Sequence, residues 1–152
     1  RVDTASEYAL AFSLFTSDIC NHNFNASYVA PTYFAPGYTL HTCAICGYSY
    51  KDSVKSKKKL KTPKIYTLKS GKKSFTLSNS KNNDATGYQV KYSTSKKFTK
   101  KTTKTKKFTK SKNTVKKLKS NKKYFVKVRT YKKQNGKTVY SSWSSVKTVK
   151  TK

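Results

Sequence analysis

At 152 residues the chain has room for one domain or two small ones. Its formal net charge of +30 is uneven: residues 1–50 hold Arg1 against Asp3, Glu7 and Asp18, whereas residues 51–152 hold 33 lysines and Arg129 against Asp52 and Asp84, a net of +32. Scattered carboxylates without an acid/base pair, with no nucleophile elbow and no Gly-rich phosphate loop, argue against an enzyme, and no apolar run is long enough to insert in a membrane.

In chain order, Tyr8, Leu10, Phe12 and Leu14 alternate with small residues and predict a strand over 6–14. The segment Ala9 to Phe15 is too short and too acidic on its flank for a signal peptide, and a start at Arg1 suggests a processed protein or an excised fragment. Pro31 and Pro36 break the segment 23–35, and Pro36-Gly37 reads as a turn with Gly37 at positive φ. Tyr38, Leu40 and Thr42 then alternate as a short strand, and Tyr48 to Tyr50 reads as its return. Lysine and serine dominate residues 51–61, which read as a solvated linker.

Strands separated by turn signals follow. Pro63 to Leu68 is predicted as an edge strand, Phe75 and Leu77 point one way from the next, and Tyr88, Val90 and Tyr92 mark a third. Two copies of KKFTK, around Phe98 and Phe108, mark turns or edge strands, and Thr114 to Leu118 is a short strand. Tyr124, Val126 and Val128 alternate with Phe125, Lys127 and Arg129 in the longest predicted strand, and Asn135-Gly136 turns the chain back. Val146 and Val149 close the series with a bulge between them. Seven short strands within about ninety residues predict a β-sandwich.

Two constellations stand out. Cys20-x-His22 and Cys43-x-x-Cys46 have the spacing of metal ligands, and Gly47 lets the chain curl round the second pair. With four protein ligands the site would be structural, holding Zn2+ by three sulfurs and one imidazole, and a module this small needs such a cross-link. A Cys43–Cys46 disulfide is the rival, and His41 is a substitute ligand or a neighbour of the site. The second constellation is Trp143 with Arg129, Lys127, Tyr131 and Tyr140. Trp143 over Arg129 would form a cation–π pair of about 0.5–1 kcal/mol, or the aromatic residues could stack on a sugar. Tyr124, six residues after Leu118, has the place of a tyrosine corner.

The pattern from Cys20 to Asp52, C-x-H-x-F…P-T…G-Y-T…T-C-x-x-C-G-Y-S-Y-x-D, resembles a small cysteine-containing module of surface and secreted proteins from anaerobic Gram-positive gut bacteria. That resemblance implies Cys20, His22, Cys43 and Cys46 as metal ligands. Residues 62–152 are similar to bacterial fibronectin type III domains, through Pro63-x-Ile65, Gly87-Tyr88-Gln89-Val90, Tyr92 to Phe98, Leu118, Lys123 to Tyr131, Asn135-Gly136-Lys137 and Tyr140-Ser141-Ser142-Trp143-Ser144. The chain departs from that pattern at Leu77-Ser78-Asn79-Ser80, where a tryptophan is usual.

The expected architecture is therefore all-β: a small zinc-ribbon-like β module over 1–55, a linker over 56–61 and a seven-stranded fibronectin type III sandwich over 62–152. The expected role is a non-catalytic accessory or adhesion region of a secreted or cell-surface bacterial protein, monomeric and attached to other domains of a larger parent. Its lysines would bind an acidic cell-wall polymer or host glycan weakly, with no specific nucleic acid as partner because lysine lacks the arginine fork. The alternatives are a neutral-glycan-binding module of a polysaccharide-degrading enzyme, using Trp143 and the neighbouring tyrosines, and a purely structural spacer.

Overall fold

The computed structural model describes residues 20–152; the strand expected over 6–14 lies outside them. The fold is all-β, with no helix among the described residues and so none able to cross a membrane. The chain divides into two compact units, residues 1–57 and 58–152.

In the first unit, β1 (Phe24–Val29), β2 (Gly37–Cys43) and β3 (Ser49–Lys55) form an antiparallel meander. The strand β3 runs through Lys51–Lys55, which the lysine-rich composition marks as linker. Pairing with β2 overrides composition there, because an edge strand can leave its lysines in water. Gly37 differs from expectation too. Its φ is not positive; instead an added Cβ would stand 2.5 Å from the Pro31 nitrogen and 2.7 Å from the Val29 carbonyl oxygen. Glycine is required by close approach, not by a left-handed turn. Only Gly37 and Cys43 are buried among the described residues of this unit.

The second unit is a sandwich of two antiparallel sheets. One holds β4 (Ile65–Gly71), β5 (Ser74–Asn79) and β8 (Lys112–Val115), in the order β4-β5-β8. The other runs β10-β9-β6-β7, from β6 (Gly87–Ser93), β7 (Thr103–Phe108), β9 (Lys123–Gln134) and β10 (Lys137–Tyr140), with β11 (Lys147–Lys150) also on β9. Thus β10 pairs with the C-terminal end of β9 and β11 with its N-terminal end, so eight strands occupy seven positions.

The core forms where the alternating residues of the two sheets meet: Phe75 and Leu77 from β5, Tyr88, Val90 and Tyr92 from β6, Val115 from β8, and Tyr124, Val126 and Val128 from β9. Phe75, Tyr92 and Tyr124 meet edge-on or tilted, with ring centroids 5.8–6.5 Å apart, and supply the aromatic bulk of this core. The Tyr124 hydroxyl accepts the Lys119 backbone N–H at 3.2 Å, tying the crossing between sheets to the strand that follows. Strand β8 ends at Val115, so Leu118 is buried in the connection after it and not on a strand. The residues before β4 are also built in: Leu60 is buried, and the Lys61 carbonyl accepts the Thr130 hydroxyl at 3.0 Å. The linker expected over 56–61 is therefore shorter, because its last two residues belong to the sandwich. Asn135 (φ 48°) and Gly136 (φ 73°) make the β9–β10 turn, both in the left-handed region that a two-residue hairpin loop favours.

Between β10 and β11 the ladder is completed by side chains. The Ser141 and Ser144 N–H groups donate to the Thr130 and Val128 carbonyls at 3.0 and 2.8 Å. In return, the Thr130 and Val128 N–H groups donate to the Ser141 and Ser144 hydroxyls, both at 3.0 Å. The serines thus stand in for two strand residues while Ser142 and Trp143 loop away from the edge. Replacing Ser144 with alanine should leave the buried Val128 N–H without an acceptor and cost about 1–3 kcal/mol. Urea unfolding checks this, with the exposed Ser145→Ala as the near-neutral control.

Candidate functional site

The first site is built by β-pairing. Cys20 and His22 lie just before β1, whose first residue, Phe24, is opposite Cys43 at the end of β2. The turn Cys43 to Gly47 brings in the second pair, closed by Gly47 N–H to Cys43 carbonyl at 3.0 Å and Cys43 N–H to Tyr48 carbonyl at 2.8 Å. Gly47, at φ 74°, is in the left-handed region that this reversal needs. The donor atoms of Cys20, His22, Cys43 and Cys46 all lie within 4.8 Å of one another.

This arrangement could hold a metal ion. The Cys20 and Cys43 sulfurs are 3.7 Å apart, and the Cys46 sulfur is 3.3 Å from His22 Nδ1. A tetrahedron with metal–sulfur bonds of about 2.3 Å has sulfur–sulfur edges of about 3.8 Å, so little movement is needed to close round an ion. The three cysteines are unpaired. The backbone N–H of Cys46, with smaller help from His22 and the Ile45 N–H (3.4 Å from the sulfur), brings the Cys43 thiol down to about 5. Its hydrogen bond with Cys46, burial, and the bond and charge of Cys43 push Cys20 up to about 12. One thiolate therefore forms readily and discourages the next; a bound cation removes that penalty.

Around the ligands, His22 stacks on Phe24 at 5.1 Å, and Phe24 meets Tyr50 edge-on at 5.0 Å. His41 is outside the cluster: it stacks on Tyr50 at 4.7 Å, and its Nε2 is 3.1 Å from Asp52 Oδ1. It is a neighbour of the site, not a ligand.

The second arrangement lies on the outer face of β9. Arg129 lies over the Tyr140 ring at 3.8 Å and over Trp143 at 4.4 Å, and its Nε donates to Gln89 Oε1 at 2.8 Å. Lys91 and Lys127 also approach Trp143, at 4.7 and 5.3 Å, and Lys127 reaches Phe98 at 4.4 Å. Phe98 enters from a turn in which its own φ is 50°, a contact that the KKFTK repeat does not announce. Lys91 is directly opposite Lys127 in the β6–β9 register, a like-charge pair that the aromatic faces offset. Burial, then repulsion from Lys91 and Arg129, lowers the Lys127 pKa; burial also lowers that of Arg129. Tyr131 is buried with Lys107 over its ring at 5.0 Å, whereas Tyr140 is exposed.

A family model described as the Rha78A-like, N-terminal immunoglobulin domain matches residues 58–152. No curated protein matches the chain. Among solved structures it is similar to a β-1,2-glucanase from Parabacteroides distasonis, at 15% identity and a TM-score of 0.48, with 74% of this chain and 17% of that chain covered. The chain thus spans a small fraction of that enzyme's length.

The cluster geometry leads to two expected outcomes. Titrated with Zn2+, the chain should take up one equivalent, and Cys43→Ser should reduce this to below about a tenth, measured by elemental analysis. Without metal, the depressed Cys43 pKa contributes stability that is lost as pH falls from the ordinary thiol range through about 5, while the raised Cys20 pKa opposes it only above that range. Because protons also displace the ion from its thiolates, an acid titration followed by metal release should show loss of the ion and of first-unit structure over the same pH range.

Proposed function

The chain belongs to the Rha78A-like, N-terminal immunoglobulin domain family, and from that membership we propose that it is a non-catalytic accessory region of a secreted glycan-degrading protein. The match across the whole sandwich is the observation that carries this reading. The residue chemistry agrees: the described residues include only two carboxylates, Asp52 and Asp84, one in each unit, whereas glycoside hydrolysis ordinarily uses a matched pair. Cys20, His22, Cys43 and Cys46 would hold Zn2+ in the first unit, for which three thiolates and an imidazole are a fitting set, and with four protein ligands the ion would serve folding.

Glycan contact falls to the outer face of β9. Tyr140 is exposed, Trp143 is half-buried, and the cations over their rings hold these side chains in place before a sugar arrives. Such pre-organisation reduces the ordering cost of binding. The lysine coat adds a diffuse attraction for acidic polymers, which weakens as salt rises.

The test is retention on immobilised plant and host glycans at moderate salt, together with an assay for released sugar. The intact chain should be retained on at least one glycan, Trp143→Ala should weaken retention about tenfold, and neither protein should release sugar. Hydrolysis by the purified chain, or retention indifferent to Trp143, would overturn the reading.

A further inference from the structure

A cavity of about 490 Å³ in the second unit is lined by none of the residues that clasp Trp143. Tyr92, Tyr124 and Leu118 line it together with five lysines: Lys101, Lys104, Lys117, Lys119 and Lys122. No carboxylate lines it. Its walls come from β6, from the segment entering β7, and from the connection between β8 and β9, so the lysines are gathered by the fold from separate stretches. One lining position, Lys117, has φ 62°, and Asn121, next to the lining residue Lys122, has φ 52°. The Lys119 N–H to Tyr124 hydroxyl bond and the Leu118 N–H to Lys73 carbonyl bond at 2.9 Å fix this connection from both sides.

From this geometry we infer that the cavity binds an acidic sugar unit, one bearing a carboxylate or a sulfate ester. Its volume lies within the range of small-molecule sites. The floor combines apolar ring and leucine surface with phenol hydroxyls. The Tyr92 phenol can donate a hydrogen bond, and burial, then the neighbouring Tyr124, raises its pKa further. Five lysines with no carboxylate among them line one cavity, and an acidic group bound there would be attracted by their like charges. The apolar floor suits the ring of a saccharide, and the ammonium groups suit its acid. A second cavity, of about 610 Å³, gathers only three lysines, Lys81, Lys110 and Lys112. This inference deepens the accessory-module reading: it names the class of polymer that module would meet.

The test is calorimetric titration of the full chain at physiological salt with three probes of equal length: an oligogalacturonate, a sulfated heparin-derived oligosaccharide and a neutral oligosaccharide. Saturable one-site binding of an acidic probe is expected, with the two acidic arms showing whether carboxylate or sulfate is preferred. Lys104→Gln/Lys119→Gln/Lys122→Gln should weaken it at least tenfold. A charge-matched variant at exposed positions outside the cavity, Lys69→Gln/Lys137→Gln/Lys147→Gln, should weaken it less than threefold. Tyr92→Phe, which removes a donor without changing charge, should weaken it severalfold while thermal unfolding shows the sandwich intact. Equal losses in the two triple variants, equal binding of the neutral probe, or tighter binding of a single-stranded oligonucleotide would overturn the inference. Any of these could occur while Trp143→Ala still reduced glycan retention, so the cavity can fail without the accessory role failing.

Discussion

Strand β9 must be hydrogen-bonded along both edges, and the second unit is arranged to meet that requirement. A central strand of twelve residues cannot leave buried N–H and C=O groups unpaired. On one edge β6 pairs continuously from Gly87 to Ser93. On the other, β10 and β11 cover the ends, and the Ser141 and Ser144 hydroxyls accept the two N–H groups left between them. Side-chain oxygens complete the ladder without continuing the strand, and the residues between the serines are freed to place an aromatic ring over the sheet. With both edges closed, each face has one task. Tyr124, Val126 and Val128 fill the core, while Phe125, Lys127 and Arg129 build the outer face.

The two units rest on different physics. The sandwich buries a continuous apolar core drawn from β5, β6, β8 and β9. The first unit buries almost nothing among its described residues, and its aromatic side chains lie over a three-stranded sheet that is open to water. Isolated small sheets are marginal, so the four donor atoms within 4.8 Å of one another are the cross-link that this unit has available. Lysine abundance has a similarly local meaning. Over most of the surface the lysines are simply exposed, but at Trp143 the cations are stacked on rings, and in the second unit five lysines line one cavity.

What can be read from sequence follows the range of the interactions. Alternation in β6 and β9 is legible because each face of a strand has a single environment, and Asn135-Gly136 because a tight turn is a local event. Lys51–Lys55 reads as linker because lysine content reports exposure, not pairing, and an edge strand is both exposed and paired. The strand expected over Thr114 to Leu118 stops short because Leu118 is buried from a loop, where periodicity says nothing. The Cys-x-x-Cys turn announces a ligand pair locally. Its meeting with Cys20 and His22 depends on the long-range register of Phe24 with Cys43. The lysine cavity leaves no signal, since its walls are distant in sequence and their residue type is the commonest in the chain.

The serine hydroxyls complete β9 and thereby fix the face that carries Trp143. Amide hydrogen exchange on the intact chain tests it most directly. The Val128 and Thr130 amides should exchange as slowly as the β9 amides that donate to β6, although no regular strand lies on the edge to which they point. Exchange of these two amides at the rate of an open edge such as β7 would show that the ladder is broken there and that the serines do not complete it.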